Sequence, residues 1–110
     1  MTSPSKAKGD RAEREIAGIL TDLLGMPVRR KLGAGRFDDV GDLDGIPDTV
    51  VQVADRARVL DVLRNKPIAA EAQRANAGAT FAATAIRMQG GVWRIALTPE
   101  QFATYVRETL

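Results

Sequence analysis

The sequence contains no cysteine and no histidine. Without cysteine it has no disulfide, no zinc–thiolate site and no thiol nucleophile. Without histidine, Ser-His catalytic triads and histidine-ligated metal sites are also excluded. Any bound metal would therefore need oxygen ligands, which are the ligands that Mg²⁺ and Mn²⁺ prefer.

Aromatic residues are also scarce, and the net charge is small. The 110 residues include one tryptophan, one tyrosine and three phenylalanines, so the core must consist mainly of aliphatic side chains. A formal net charge of +2 is compatible with nucleic-acid binding but does not require it. No apolar run is long enough to span a membrane, and the first residues lack the apolar segment of a secretory signal. We therefore expect a cytoplasmic protein, in the host cytoplasm if a phage encodes it.

The pattern of apolar and turn-forming residues predicts the element order α-β-β-β-α-β-β-α. We expect a flexible basic arm at 1–8 and a single α/β domain at 9–110. The first helix is predicted to start at Asp10 as N-cap, with Glu13 completing a capping box, and to end before Gly25.

Later elements follow from β-branched runs, glycine turns and capping signals. The predicted strands are 26–32, 40–43, 49–54, 80–88 and 92–97, with a helical stretch at 56–77 and a turn at 89–91. Strand 49–54 is mostly apolar and is expected to be central in its sheet. The helical stretch is expected to break before Pro67. Thr98, Pro99 and Gln101 form a strong helix start.

Glu13 occupies an unusual position for a carboxylate. On a helical wheel it lies beside Ile16, Ala17 and Leu20, within the apolar stripe of the first helix. A carboxylate directed towards a core is costly unless another group satisfies it. One interpretation is the capping box with Asp10, and the other is a ligand for a metal or a metal-bound water.

The segment 41–47 (GDLDGIP), which precedes the apolar strand, is the most distinctive part of a family resemblance. Together with the first-helix acid, the helix containing 71–79 and the strand at 91–95, this segment resembles PD-(D/E)XK nucleases. The likeness is to short Holliday-junction-resolvase-like proteins of phages, and it covers about residues 8–110. It implies a restriction-endonuclease-like core, with a central mixed sheet flanked by helices. It also implies Mg²⁺ or Mn²⁺, a homodimer, and action on four-way DNA junctions.

The resemblance assigns the catalytic and metal-binding roles to Glu13, Asp42 and Gln52. In the family, an E-x-K strand aims an acid and a lysine at one metal-bound water, because residues i and i+2 share a face. Here those two positions are Gln52 and Ala54. Gln52 offers an oxygen without charge and Ala54 offers nothing, and one lost transition-state donor typically costs ~10²–10³ in rate. The resemblance therefore predicts weak or lost phosphodiester hydrolysis.

Basic residues beside this motif are candidates for contact with nucleic-acid phosphates. These candidates are Arg29, Arg30, Lys31, Arg36 and Arg74. The alternatives are an edge strand protected by its charges, and, for Arg74, a solvated helix face. The strand residues have no interleaved aromatic side chains, so base stacking is not indicated.

Three functions remain open at this point. The first is a metal-dependent endonuclease acting on branched DNA through a weakened site. The second is a catalytically inactive relative that binds nucleic acid or a protein partner. The third is an unrelated small α/β interaction module, which would leave the 41–47 turn unexplained.

Overall fold

The computed structural model describes residues 4–31, 41–55 and 58–110. Its elements are α1 (Pro4–Leu24), β1 (Arg29–Arg30), β2 (Leu43–Asp44), β3 (Thr49–Asp55), α2 (Val59–Ala77), β4 (Phe81–Met88), β5 (Val92–Ala96) and α3 (Pro99–Glu108). The predicted element order is therefore confirmed, and the chain is an α/β protein. The short turn at Gln89–Gly91 joins β4 to β5, as the glycine pair predicted.

Within the described ranges the strands form two sheets. A three-stranded mixed sheet has the order β3-β4-β5, with β3 parallel to β4 and β4 antiparallel to β5. The two-residue strands β1 and β2 form a separate antiparallel pair. The expectation that β3 is central is wrong, since β4 occupies the middle of the larger sheet.

Helices cover both faces of β3, which explains its apolar composition. Val51 packs with Ile16 and other α1 residues in one buried cluster, whereas Ala54 packs with Val62 of α2 in another. Because side chains alternate along a strand, the odd-numbered positions of β3 face α1 and the even-numbered positions face α2. A strand buried on both faces is apolar throughout, whether or not it has two strand neighbours.

The start of α1 differs from the prediction. The helix begins at Pro4, within the segment predicted as an arm, and it runs through Asp10. Asp10 is therefore not an N-cap, and the capping box with Glu13 is wrong. Proline is favoured in the first helical turn because its missing N–H would have no helical partner there. The end is as predicted, since Gly25 adopts φ 70° and its N–H donates to the carbonyl of Thr21 at 2.9 Å.

The break predicted before Pro67 is also wrong. Helix α2 continues through Pro67, which is buried, and it ends where Gly78 adopts a left-handed conformation. Val62 and Ala70, on either side of the proline, are buried as well. Packing against β3 and β4 thus stabilises the helix across a residue that lacks a backbone donor.

The last helix starts as predicted. The hydroxyl of Thr98 accepts a hydrogen bond from the N–H of Gln101 at 3.0 Å, and Pro99 is the first helical residue. No helix in the three described ranges combines the length and the apolar character needed to cross a lipid bilayer.

Candidate functional site

Asp42 lies where the glycine-rich turn meets the edge of β3 that faces away from β4. Its N–H donates to the carbonyl of Val51 at 2.9 Å, and its carbonyl accepts from the N–H of Lys31 at 2.8 Å. Its carboxylate Oδ2 accepts from the N–H of Val53 at 2.8 Å. Asp42 thus connects Lys31, which follows β1, to β3. Its carboxylate also takes the place of a neighbouring strand as the acceptor for the N–H of Val53.

Two glycines allow this turn to approach its neighbours. Gly41 adopts φ 95°, and a Cβ there would lie 2.7 Å from Cγ1 of Val50. Gly45 adopts φ 106°, and a Cβ there would overlap the carbonyl oxygen of Pro27. Any larger residue would strain the backbone and displace these contacts, so the two glycines help to place Asp42.

Glu13 is held by an arginine. The Nε of Arg30 lies 3.2 Å from Oε1 of Glu13, and its Nη2 lies 3.0 Å from Oδ1 of Asp10. The three side chains are only 20–23% exposed. Arg30 therefore places a positive charge between two carboxylates on consecutive turns of α1. Hydrogen bonds between ionised partners are stronger than those between neutral ones, which stabilises this arrangement.

Asp42 acts on the carboxyl group of Glu13 through its charge. Burial raises the pKa of Glu13 above its ordinary value, and the hydrogen bond from Arg30 opposes that rise. The negative charge of Asp42 raises it further, while the charge of Arg30 lowers it and that of Asp10 raises it. The structure thus brings Glu13 and Asp42 within electrostatic range of each other.

Gln52 lies elsewhere. Gln52 and Ala54 share the face of β3 that packs against α2, whereas Glu13 is on α1 at the opposite face. Gln52 is buried, and within the described part of the chain its Oε1 has no hydrogen-bond partner. Its cross-strand neighbour Thr84 is fully buried, and the Thr84 hydroxyl is likewise unpartnered among these residues. The structure therefore does not bring Gln52 together with Glu13.

These residues fit a divalent cation poorly. Glu13 already binds the guanidinium of Arg30, whose positive charge would repel a metal ion at the same carboxylate. The third predicted ligand, Gln52, faces the other side of the sheet. In 4–31, 41–55 and 58–110, no three acidic side chains form a group arranged to hold a metal.

The predicted basic residues do not all lie together. Arg29, Arg30 and Lys31 follow one another at β1, with Arg29 exposed and Arg30 committed to the carboxylates. Arg74 lies on α2, where its guanidinium contacts Glu71 at 2.9 Å and the carbonyl of Ala79 at 3.0 Å. Those contacts give Arg74 a structural role at the end of α2.

One predicted contact residue, Arg36, lies outside the described residues, as does the turn at 33–36.

Sequence reasoning missed a depression between α1 and β1. It has a volume of about 400 Å³, and its lining combines arginines with small or apolar residues: Arg14, Ala17, Gly18, Val28, Arg29 and Arg30. The available signal was the spacing of Arg14 and Gly18, four residues apart and thus on one helical face. A glycine within an otherwise good helix-forming segment also marks a place where space is kept free.

The structure thus defines an α/β protein with helices on both faces of β3. Beside the basic strand β1 it carries carboxylates neutralised by an arginine. Comparison with family models, with curated proteins and with solved structures finds no match for this chain.

Proposed function

We propose that this chain is a nucleic-acid-binding protein built like the Holliday junction resolvases, in which metal-dependent phosphodiester hydrolysis is weak or lost. The observation that carries the proposal is Arg30, which lies between Asp10 and Glu13 with contacts of 3.0 and 3.2 Å. A nuclease of this kind holds a divalent cation with its acids. Here a side-chain cation already neutralises one of the two candidate acids.

The order of elements supports a restriction-endonuclease-like core. Helix α1, three strands, helix α2 and a strand parallel to β3 follow one another as the resemblance implies. Glu13 and Asp42 interact electrostatically across this arrangement. Because fold does not determine activity, the argument for function rests on the side chains.

Binding without cleavage is supported by the different surroundings of Arg30 and Arg29. Arg30 neutralises carboxylates, while Arg29 is exposed and Lys31, which directly follows β1, is partly exposed. Exposed cations of this kind bind the phosphate backbone without reading sequence. We propose branched DNA as the ligand, with the four-way junction implied by the resemblance as its preferred form, and a homodimer as the binding species.

The experiment measures binding and cleavage on the same substrates. A labelled four-way junction, a matched duplex and a single strand are titrated by fluorescence anisotropy at several salt concentrations, then incubated with Mg²⁺ or Mn²⁺. We expect binding that weakens steeply with salt, tightest for the junction, and substrates that remain uncut.

Two results would contradict the proposal. Robust cutting that disappears in Asp42→Asn would establish an active nuclease, and the Mg²⁺ or Mn²⁺ implied by the resemblance would then be its cofactor. Absence of binding to every DNA would remove the nucleic-acid function and favour the inactive relative that binds a protein. Calorimetric titration of Mg²⁺ into wild type and Asp42→Asn provides the metal control. We expect the two proteins to give the same heat of Mg²⁺ binding, because Asp42 does not hold the ion.

A further inference from the structure

The depression between α1 and β1 combines positive charge at its rim with an apolar floor. Arg14 and Arg29 are both exposed, and neither forms an ion pair within the described part of the chain. Ala17 and Val28 are buried and form part of the lining between them. This combination suits a ligand that alternates negative charge with apolar surface.

Gly18 keeps the depression open. It is exposed in the middle of α1, and a Cβ built on it would meet no atom within 4 Å. A glycine inside a helix costs stability relative to alanine, by roughly 0.5–1 kcal/mol. Among the described residues no contact of α1 requires a glycine at this position, and the missing side chain leaves the helix backbone open to the groove.

We propose that this α1–β1 groove binds a stretch of the sugar–phosphate backbone of a nucleic acid. Arg14 and Arg29 contact successive phosphates, and the sugar between them lies on Gly18, Ala17 and Val28. This inference rests on the proposed function and specifies where the ligand binds and through which groups. It also assigns roles to Arg14 and Gly18 that the resemblance does not provide.

The chemistry of the lining favours backbone over bases. None of the described residues that line the groove is aromatic, so these residues offer no surface for base stacking. Of the described acids near the groove, Glu13 binds Arg30, whereas Asp44 is the direct cross-strand neighbour of Arg29 on the same face of the strand pair and partly offsets its charge. Binding is therefore independent of sequence, with the guanidinium groups providing most of the affinity.

The first test fills the groove without changing its charge. Gly18→Leu places a side chain over the floor, and Gly9→Leu is the matched control. Gly9 lies nine residues earlier on the same helix, on its opposite side, and a Cβ there also meets nothing within 4 Å. We expect Gly18→Leu to weaken binding to the four-way junction by about tenfold and Gly9→Leu to leave it within about twofold. Equal affinities for the two variants would overturn the proposal.

The second test removes the charges. We expect Arg14→Ala with Arg29→Ala to reduce the slope of log affinity against log salt by about 2, one per phosphate contact. Arg64→Ala with Arg94→Ala removes two exposed arginines elsewhere and controls for net charge. The proposal fails if both pairs change the slope equally.

The outcomes separate this inference from the proposed function. If wild-type protein binds DNA and every groove variant binds equally well, the nucleic acid lies on another surface and only the groove assignment is wrong. If wild-type protein binds no DNA, the proposed function itself is wrong. Analytical ultracentrifugation of wild type and Gly18→Leu in the absence of DNA provides the remaining check. If wild type is a dimer and Gly18→Leu is a monomer, the groove is occupied by a second copy of the chain, and the proposal that it binds DNA is wrong.

Discussion

The guanidinium of Arg30 donates to the carboxylate of Glu13 across 3.2 Å, and this contact joins α1 to β1. Both side chains are largely withdrawn from water. The pair therefore has two consequences. It supports the packing of the first helix on the short sheet, and it neutralises an acid that the family resemblance assigns to a metal.

Removing Arg30 should reveal the cost of burying Glu13. We expect Arg30→Met to reduce the free energy of unfolding by about 1–3 kcal/mol at neutral pH, because it leaves a partly buried carboxylate without its main partner. The pKa of Glu13, already raised by burial, should rise further, since Arg30 provides the causes that lower it. A carboxyl group whose folded pKa exceeds its unfolded value destabilises the protein as pH rises through the folded pKa, so the deficit should shrink as pH falls from neutral towards the ordinary value of 4.5.

Chemical denaturation at several pH values measures this effect, with Glu13→Gln and the double variant completing a cycle. We expect the double variant to lose less than the sum of the single variants, by about 0.5–3 kcal/mol. Additive losses would show that the Arg30–Glu13 contact contributes nothing to stability.

Asp48 should control part of the acid sensitivity of the fold. The side chain of Thr80 and then its backbone N–H, which donates to Oδ1 of Asp48 at 2.9 Å, hold the pKa of Asp48 below its ordinary value through hydrogen bonds. A lowered folded pKa provides stability at neutral pH that is lost as the carboxylate is protonated. We expect the stability difference between wild type and Asp48→Asn to decrease as pH falls from about 5 to about 2. A difference that is constant with pH would argue against the assignment.

Two threonines with opposite hydrogen bonding provide a matched pair. The Oγ1 of Thr84 is buried without a partner among the described residues, whereas that of Thr21 lies 2.8 Å from the carbonyl of Ala17 and accepts from the N–H of Val28 at 2.9 Å. We expect Thr84→Val to raise the free energy of unfolding by about 1 kcal/mol and Thr21→Val to lower it by about 1–2 kcal/mol. Thermal unfolding of both proteins tests the contrast, and changes of the same sign would contradict it.

The glycines of the motif turn and of α1 should respond in opposite ways to alanine. Gly45→Ala combines φ 106° with an overlap on the carbonyl of Pro27, and we expect a loss of about 1–3 kcal/mol. Gly18→Ala meets no atom within 4 Å and should gain about 0.5–1 kcal/mol from helix propensity. Urea denaturation measures the free energy of unfolding of both variants. An unchanged value for Gly45→Ala would show that the turn can rearrange to accept a side chain.

Local signals predicted the elements better than their arrangement. The Thr98–Pro99–Gln101 start of α3 and the strand around 49–54 were identified because capping and β-branched runs act within a few residues. The lateral position of β3 was missed, since burial of both faces by helices and burial between two strands leave the same apolar pattern. Local propensity predicts a break at Pro67 because it does not include the tertiary packing that stabilises α2.

The candidate site was predictable only in part. Glu13 and Asp42 were paired through the resemblance, and they do interact. The role of Arg30 was not predicted, because the sequence alone does not show that a residue seventeen positions away faces Glu13. The resemblance assigns Gln52 to the same site, whereas the face of the sheet on which Gln52 lies depends on which helix covers which side.

The parallel pairing of β3 with β4 has a consequence for how the chain folds. Thr49 pairs with Phe81, so this half of the sheet closes only after the whole of α2 has been accommodated. The β4–β5 hairpin needs only a three-residue turn. Closing a long loop costs more entropy than closing a short one, so the C-terminal hairpin is expected to form early and β3 to join it late. Assembly would therefore proceed from the carboxyl end towards the segment that carries Asp42, making the candidate site among the last regions to become ordered.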